Sequence, residues 1–195
     1  EIKQMRLCNC DLIETFLPVN TFDEVLEHLK GKCKMNLDRS IGIIEPVMKM
    51  VRRHGMEDQI LMKSDPSEQS LKLIEAYAPD IDYMPIFMEE DHASEKIEKM
   101  KIHYAGAELV FKTEQSPIVQ EAYLEEQKKK GRVLWGNAIL YSSRVPLAGG
   151  HSDDISLLED PAQGWGWLAQ KGFDIIQTDW TMHCVNYLRE NNYRK

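Results

Sequence analysis

The sequence predicts an α/β fold built from consecutive strand–helix units, and three observations predict it. Short β-prone runs that end in polar residues are followed, again and again, by stretches in which apolar residues recur at helical spacing. The runs are apolar almost throughout, which is typical of parallel strands covered on both faces. Gly55, Gly106, Gly131 and Gly172 stand shortly before these runs, where a preceding helix needs a left-handed cap. Six strands alternating with helices therefore indicate parallel pairing through crossovers.

Each predicted strand is followed by a predicted helix. The strands are expected at residues 34–38, 59–63, 83–88, 107–112, 132–139 and 173–179. The helices are expected at residues 22–29, with Thr21 as the cap, and at 43–54, 66–77, 92–104, 116–130, 161–171 and 181–191. A long loop is expected after the fifth strand, and residues 1–19 contain no convincing strand. No linker or low-complexity tract divides the chain, so residues 1–195 are expected to form a single domain. From this pattern alone, a doubly wound open sheet stays open as an alternative to a barrel.

Composition narrows the function classes. Hydrophobic content of 43% with 29% charged residues is ordinary for a globular protein. The 32 acidic and 24 basic residues give a net charge of −8, which argues against a nucleic acid or an anionic membrane as partner. No apolar run approaches the roughly 18 residues that a transmembrane helix requires. The chain begins with Glu1 rather than Met, so the sequence leaves its cellular location open.

Residues 149–187 carry a specific combination of motifs. GGHSDD is followed by EDPAQGWGWLAQKGFDIIQTDW, and this order resembles the C-terminal end of the glycerophosphodiester phosphodiesterases, especially a bacterial subgroup with GGHxDD, Trp-Gly-Trp and Ile-Ile-Gln-Thr-Asp motifs. Further upstream, LPVNTFDEVLEHLKGKCKMNLDRS, QILMKS, DYMPIFM, GAELVF and RVLWGN match successive parts of the same family. The resemblance extends over about residues 17–190.

The resemblance implies a fold and an activity. The family fold is a TIM-type (β/α)8 barrel that hydrolyses glycerophosphodiesters with a divalent cation, commonly magnesium or calcium. The family's His-Arg first strand, its Glu-x-Asp second strand and the histidine after it have no counterpart here. The barrel is therefore expected to lack its first two strand–helix units, and the catalytic residues stay unknown. Three hypotheses follow: a metal-dependent diester hydrolase, an inactive module that binds a phosphate or glycerol group, and a partial barrel that forms a homo-oligomer through its open sheet edges.

Two strand ends carry candidate residues for a cation and a phosphate. Asp38 ends a predicted strand, so its carboxylate would point into the mouth of the barrel. The resemblance makes Asp38 a metal ligand, whereas pattern alone also allows it to cap a helix, as Ser40 could. Arg39 and Lys63 are cations at successive strand ends, where they could stabilise the charge that develops on a diester phosphate. Ordinary surface cations are the alternative.

Four further residues complete the predicted substrate site. Glu108 is a charge inside an apolar strand, and Lys63 on a nearby strand is its expected ion-pair partner. Trp135 and Asn137 alternate on one strand and would face the same side, near the glycerol by resemblance, although Trp135 could equally be a core residue. His151, in the glycine-rich loop, is expected to border the site.

A barrel would bring these positions together. The C-terminal ends of its strands meet at one face, so Asp38, Lys63, Asn137 and the loop 149–154 are expected to open onto one cleft. If Asp38 and Lys63 lay at opposite ends of the sheet, this prediction would be wrong.

Overall fold

A computed structural model describes residues 2–140 and 145–193 of the chain. Its main sheet has six strands that are all parallel and follow one another in sequence order, β3 to β8. A separate antiparallel pair, β1 and β2, precedes them. The strands are β1 Arg6–Cys8, β2 Glu14–Pro18, β3 Met35–Leu37, β4 Ile60–Ser64, β5 Asp82–Met88, β6 Gly106–Val110, β7 Val133–Asn137 and β8 Ile175–Gln177.

The helices connect these strands. A capping box fixes the start of the first helix, because the Thr21 hydroxyl accepts from the Glu24 N–H while the Glu24 carboxylate accepts from the Thr21 N–H. A π-helical turn, Ala162–Gly166, leads directly into α7. The α-helices are α1 Phe22–Leu29, α2 Ile44–His54, α3 Glu68–Tyr77, α4 Ser94–Ile97, α5 Glu121–Lys129, α6 Asp153–Leu158, α7 Trp167–Lys171 and α8 Thr181–Glu190.

The two faces of the sheet have different roles. On β4 and β6, alternate residues such as Met62 and Leu109 enter the main hydrophobic core together with helix residues such as Leu26 and Ile74. The residues between them, Lys63 among them, face the concave side. The helices therefore cover the outer face, and the sheet curls around a concave inner face.

The predicted order of six parallel strands is confirmed, and the order does not reverse as it would in a doubly wound sheet. The sheet is a curled half-barrel of the TIM type. Within the described residues β3 and β8 stand at its two edges and do not pair with each other. Association through these edges stays a prediction. None of the described helices combines the length and the apolar character needed to cross a membrane.

The expectation that residues 1–19 contain no strand is wrong. The turn between β1 and β2 is held by the Asn9 side chain, whose Oδ1 accepts from the N–H groups of Asp11 (3.0 Å) and Ile13 (2.9 Å). The Thr15 hydroxyl also donates to the Leu7 carbonyl across the pair at 2.7 Å. Local polar contacts form this hairpin, and hydrophobic alternation, the pattern that predicts strands, is absent from it.

Two further expectations need correction. The helix predicted at 92–104 is limited to Ser94–Ile97, because the chain then returns to the sheet: the Tyr83 N–H donates to His103 O at 2.9 Å and the Ala105 N–H to Tyr83 O at 3.0 Å. The loop predicted before residue 161 contains α6, whose N-cap Ser152 accepts from the Ile155 N–H. Residues 141–144 of that predicted loop lie outside the described residues.

Candidate functional site

A cleft of about 500 Å³ opens at the C-terminal ends of the parallel strands. This volume lies within the range of sites for small ligands. Its lining includes Asp38 and Arg39 after β3, Lys63 on β4 and Asn137 on β7. The sequence predicted that these strand ends would meet, and the described structure brings these four residues together.

A buried ion pair forms the floor of the cleft. Lys63 Nζ lies 2.6 Å from Glu108 Oε2, and the two side chains are only 4% and 7% exposed. The predicted pairing of these residues is confirmed. Lys63 Nζ also lies 3.9 Å from the centroid of the Trp135 ring, so a cation–π contact supports it from the side. Trp135 therefore faces the same side as Asn137 and acts on the cleft through Lys63.

Asn137 is held by the same carboxylate. Its Nδ2 donates to Glu108 Oε1, which fixes the orientation of the amide. The Oδ1 atom is buried and has no hydrogen-bond partner within the described residues. A buried acceptor without a donor costs on the order of 1–3 kcal/mol, so Asn137 holds unused hydrogen-bonding capacity at the cleft.

The turn after β3 presents Asp38 and Arg39. Ser40 Oγ donates to the Leu37 carbonyl at 2.7 Å and tightens the turn, and Arg39 takes a left-handed φ of 53°. A non-glycine residue in this region costs on the order of 1 kcal/mol, and such strain concentrates at functional positions. The helix-cap alternative for Asp38 does not hold, because neither the 3₁₀ turn Ile41–Ile43 nor α2 has a side-chain cap.

Carboxylates reach the cleft, but they do not make a complete cation site. Asp65, immediately after β4, lines the cleft together with Asp38. Among residues 2–140 and 145–193, no group of three or more His, Cys, Asp or Glu side chains could hold a metal ion. The described donors therefore do not fit a full divalent-cation site, and the role of Asp38 as a metal ligand stays a prediction.

Asp65 and Gln177 are among the residues of the lining that the sequence reasoning missed. Gln177 Oε1 accepts from Trp135 Nε1 at 3.1 Å, which links β8 to the concave face. Both residues stand near the C-terminal end of a predicted strand. This position, which was used to predict Asp38 and Lys63, could have identified them as well.

The structure does not bring His151 to the cleft. Its ring stacks on Trp167 with centroids 3.7 Å apart, Nε2 lies 2.9 Å from Glu114 Oε1, and Nδ1 donates to the Gln163 carbonyl. These contacts use both ring nitrogens and one ring face, and the side chain is 13% exposed. The predicted common cleft therefore includes Asp38, Lys63 and Asn137, but not the segment 149–154.

A second concavity, of about 470 Å³, lies on the outer side between α4 and α5. It is electronegative, because Glu90, Asp91, Glu95 and Glu126 line it. Asp91 is already bound by the Tyr123 hydroxyl at 2.8 Å, and burial raises the pKa of Tyr123. This surface does not suit an anionic ligand, whereas the cleft on the concave face carries two cations, Arg39 and Lys63, beside its carboxylates Asp38, Asp65 and Glu108.

Comparison with known proteins places the chain in a family. Residues 83–188, more than half of the chain, match DUF4996, described as a domain of unknown function. The chain belongs to that family. No curated protein matches it.

Solved structures show the same fold. The chain is similar to a glycerophosphoryl diester phosphodiesterase from Parabacteroides distasonis, with a TM-score of 0.74 at 16% identity over 97% of this chain. It spans 62% of the length of that protein. A putative glycerophosphodiester phosphodiesterase from Galdieria sulphuraria gives a TM-score of 0.64 at 13% identity, over 96% of this chain and 68% of that one. A second P. distasonis glycerophosphodiester phosphodiesterase gives 0.62 at 13%, over 98% and 70%. At these identities the comparison supports the barrel-type fold.

Proposed function

We propose that this chain forms the substrate-binding part of a metal-dependent phosphoric diester hydrolase that acts on glycerophosphodiesters and releases an alcohol and glycerol phosphate. The observation that carries the proposal is the convergence of Asp38, Arg39, Lys63 and Asn137 on one cleft at the C-terminal strand ends. This is the face at which barrel enzymes hold their substrates. The fold shared with structures bearing the phosphodiesterase name supports the same reading.

Arg39 is the proposed phosphate contact. The charge of Lys63 is balanced by Glu108, whereas no ion pair to Arg39 is formed by any residue that the structure describes. A guanidinium group matches the geometry of two phosphate oxygens. Lys63 then places an ammonium group at the floor of the cleft, but it is not the principal phosphate ligand.

Asn137 is the proposed contact for a hydroxyl group. Its free acceptor, Oδ1, needs a donor, and the oxygens of an ionised diester phosphate have none to give. A glycerol hydroxyl supplies one. The carboxamide therefore distinguishes the glycerol side of a ligand from its phosphate.

Hydrolysis itself requires more than these contacts. Water must add to phosphorus while the bond to the departing alcohol breaks, and the alkoxide must receive a proton. Asp38 would supply one carboxylate to a magnesium or calcium ion, by resemblance. No histidine is among the described residues that line the cleft. This observation favours a second candidate function, a module that binds a phosphoglycerol group without turnover.

Calorimetric titration of the chain with glycerol 3-phosphate and with glycerophosphocholine, with magnesium or with EDTA, tests the proposal. Arg39→Met is expected to weaken binding at least about tenfold, since a charged hydrogen-bonded contact contributes on the order of 1.5–3 kcal/mol. Arg189→Met, on the exposed end of α8, is the matched control and should leave binding unchanged.

The outcome separates the two candidates. Choline release is assayed beside the titrations: metal-dependent release supports the hydrolase over the module, whereas binding without release agrees with both candidates. We expect little turnover from the 195-residue chain itself. Failure of both ligands to bind would contradict both candidates.

A further inference from the structure

One wall of the cleft, at the C-terminal ends of β5 and β6, is aliphatic. Ile86 and Met88 on β5, Val110 on β6 and Leu147 from the segment between β7 and α6 form it. Val110 and Leu147 belong, with Ile139 and Ile86, to a small hydrophobic cluster that is separate from the main core. The cleft therefore combines this aliphatic wall with the charged and polar residues on either side of it, Lys63 on β4 and Asn137 on β7.

The aliphatic wall is held in place by the backbone. The Phe111 N–H donates to Leu147 O at 3.0 Å, and the Gly149 N–H donates to Phe111 O at 2.8 Å, which fixes Leu147 beside the end of β6. Gly149 has a left-handed φ of 62°, and a Cβ there would lie 2.9 Å from the Phe111 ring. Only glycine suits this position, so one function of the GGHSDD motif is to position the wall.

Met88 extends the wall to the rim. It is 65% exposed, although its neighbours Val110 and Leu147 are only 9% and 7% exposed. A flexible, unbranched thioether at this place can adapt to an apolar ligand of variable shape. Covering Met88 would remove apolar surface from water, and an apolar group of the ligand could do so.

We infer that the cleft takes an amphiphilic diester, a glycerophosphate ester that carries an aliphatic chain, as a monoacyl phospholipid does. The inference rests on the proposed function, because the phosphate and the hydroxyl of the ligand contact Arg39 and Asn137. The aliphatic chain of the ligand then lies along Ile86, Met88 and Leu147. A short polar alcohol alone would leave this wall in contact with water.

Chain length is the variable to test. Binding of glycerophosphocholine is compared with that of butanoyl, hexanoyl and octanoyl lysophosphatidylcholine, all below the concentration at which they form micelles. Burial of a methylene contributes about 0.8 kcal/mol, about fourfold in affinity. On this partly open wall we expect affinity to rise about two- to fourfold with each methylene. Neutral monoacylglycerols of the same chain lengths, which lack the phosphate, should bind at least about tenfold more weakly.

Variants locate the chain on the wall. Met88→Ser should flatten the dependence of affinity on chain length, whereas Met182→Ser, which changes a 69% exposed methionine on α8, should preserve it. Because Met88 is exposed, its replacement should leave the fold intact, and circular dichroism checks this.

Each outcome has one meaning. If affinity does not change with the length of the acyl chain while glycerophosphocholine binds normally, the inference is overturned and the proposed function stands. An unchanged dependence in Met88→Ser, or equal affinity for the neutral lipids, also overturns the inference. No binding of any phosphate-containing ligand contradicts the proposed function itself.

Discussion

The concave face of the sheet and the N-terminal hairpin, Arg6–Cys8 with Glu14–Pro18, depart from the usual distribution of side chains in opposite directions. The concave face buries ionised groups: Lys63 and Glu108 are 4% and 7% exposed. The hairpin exposes apolar groups: Phe16 is 91% exposed, and Leu12, in the turn between β1 and β2, is 84% exposed. One region therefore has charges inside, and the other has hydrophobic side chains outside.

The difference shows which region of the described structure depends on its side-chain contacts for stability. The buried polar groups hold one another, and the loss of one partner leaves another without compensation. The hairpin strands contain no buried residue, and a two-stranded pair by itself is marginal in water. Substitutions in the two regions should therefore differ greatly in their effect on the free energy of unfolding.

The largest effect is expected from Lys63→Met. It leaves the Glu108 carboxylate buried without its cation, which typically costs about 3–5 kcal/mol. Chemical denaturation measures the change. The double variant Lys63→Met/Glu108→Gln should recover much of the loss, because no uncompensated charge remains. Lys72→Met, which removes an exposed pair with Glu68, is the control and should change stability by less than about 0.5 kcal/mol. Equal effects at Lys63 and Lys72 would contradict the comparison.

The next effect is expected at Asp153, which is 3% exposed. Its carboxylate accepts from Trp165 Nε1 (2.7 Å), Thr178 Oγ1 (2.6 Å) and the Asp179 N–H (3.0 Å), and so joins α6, the π-helical turn and the end of β8. Asp153→Ala leaves three donors without an acceptor and should cost about 3 kcal/mol. The neighbouring Asp154 is exposed, so Asp154→Ala is a matched control with an expected change of less than about 1 kcal/mol. Similar unfolding midpoints for the two variants would argue against this role.

The parts of the fold that the sequence predicted are those in which pattern and burial agree. The apolar runs gave all six parallel strands, and a single carboxylate in the run AELVFK was enough to predict the Lys63–Glu108 pair. The hairpin escaped prediction because its strands bury no residue and therefore carry no alternation. The helix predicted at 92–104 ends early because the chain from His103 to Ala105 forms backbone hydrogen bonds with Tyr83, a contact that helical spacing does not reveal.

The candidate site was predicted only as far as strand ends could indicate it. Asp38, Lys63 and Asn137 reach the cleft because parallel strands end at one face. His151 does not, because its stacking on Trp167 and its contact with Glu114 are tertiary contacts with no local signal. For the same reason the aliphatic wall could not be predicted, since Leu147 is brought to it by the pairing of a loop with β6.

A smaller effect is expected at high pH from Tyr83. Its side chain is fully buried, its hydroxyl lies 3.0 Å from Ser64 Oγ, and burial raises its pKa to about 12. The pKa of Tyr83 in the folded state exceeds the unfolded value of about 10, so the folded state favours the neutral phenol. The contribution of this difference to the free energy of unfolding is complete below pH ~10 and is lost as the pH rises towards 12. At pH ~11 the loss should be about 1 kcal/mol. Chemical denaturation at several pH values should show that the free energy of unfolding of Tyr83→Phe declines less between pH ~10 and 12 than that of the unchanged protein. An unchanged pH dependence would contradict the role assigned to Tyr83.

The smallest effect is expected from Phe16→Ser in β2. The side chain is 91% exposed, so the folded state loses almost no buried apolar area when it is replaced, and the free energy of unfolding should change by less than about 0.5 kcal/mol. Phe87→Ser is the matched contrast: Phe87 is 0% exposed in the main core, and its truncation should cost at least about 3 kcal/mol. Chemical denaturation at two protein concentrations measures both. If Phe16→Ser destabilises the chain by more than about 1 kcal/mol, and does so more strongly at the higher concentration, the phenylalanine is covered in an assembly. The hairpin would then be an interface, and its contrast with the concave face would apply to the isolated chain alone.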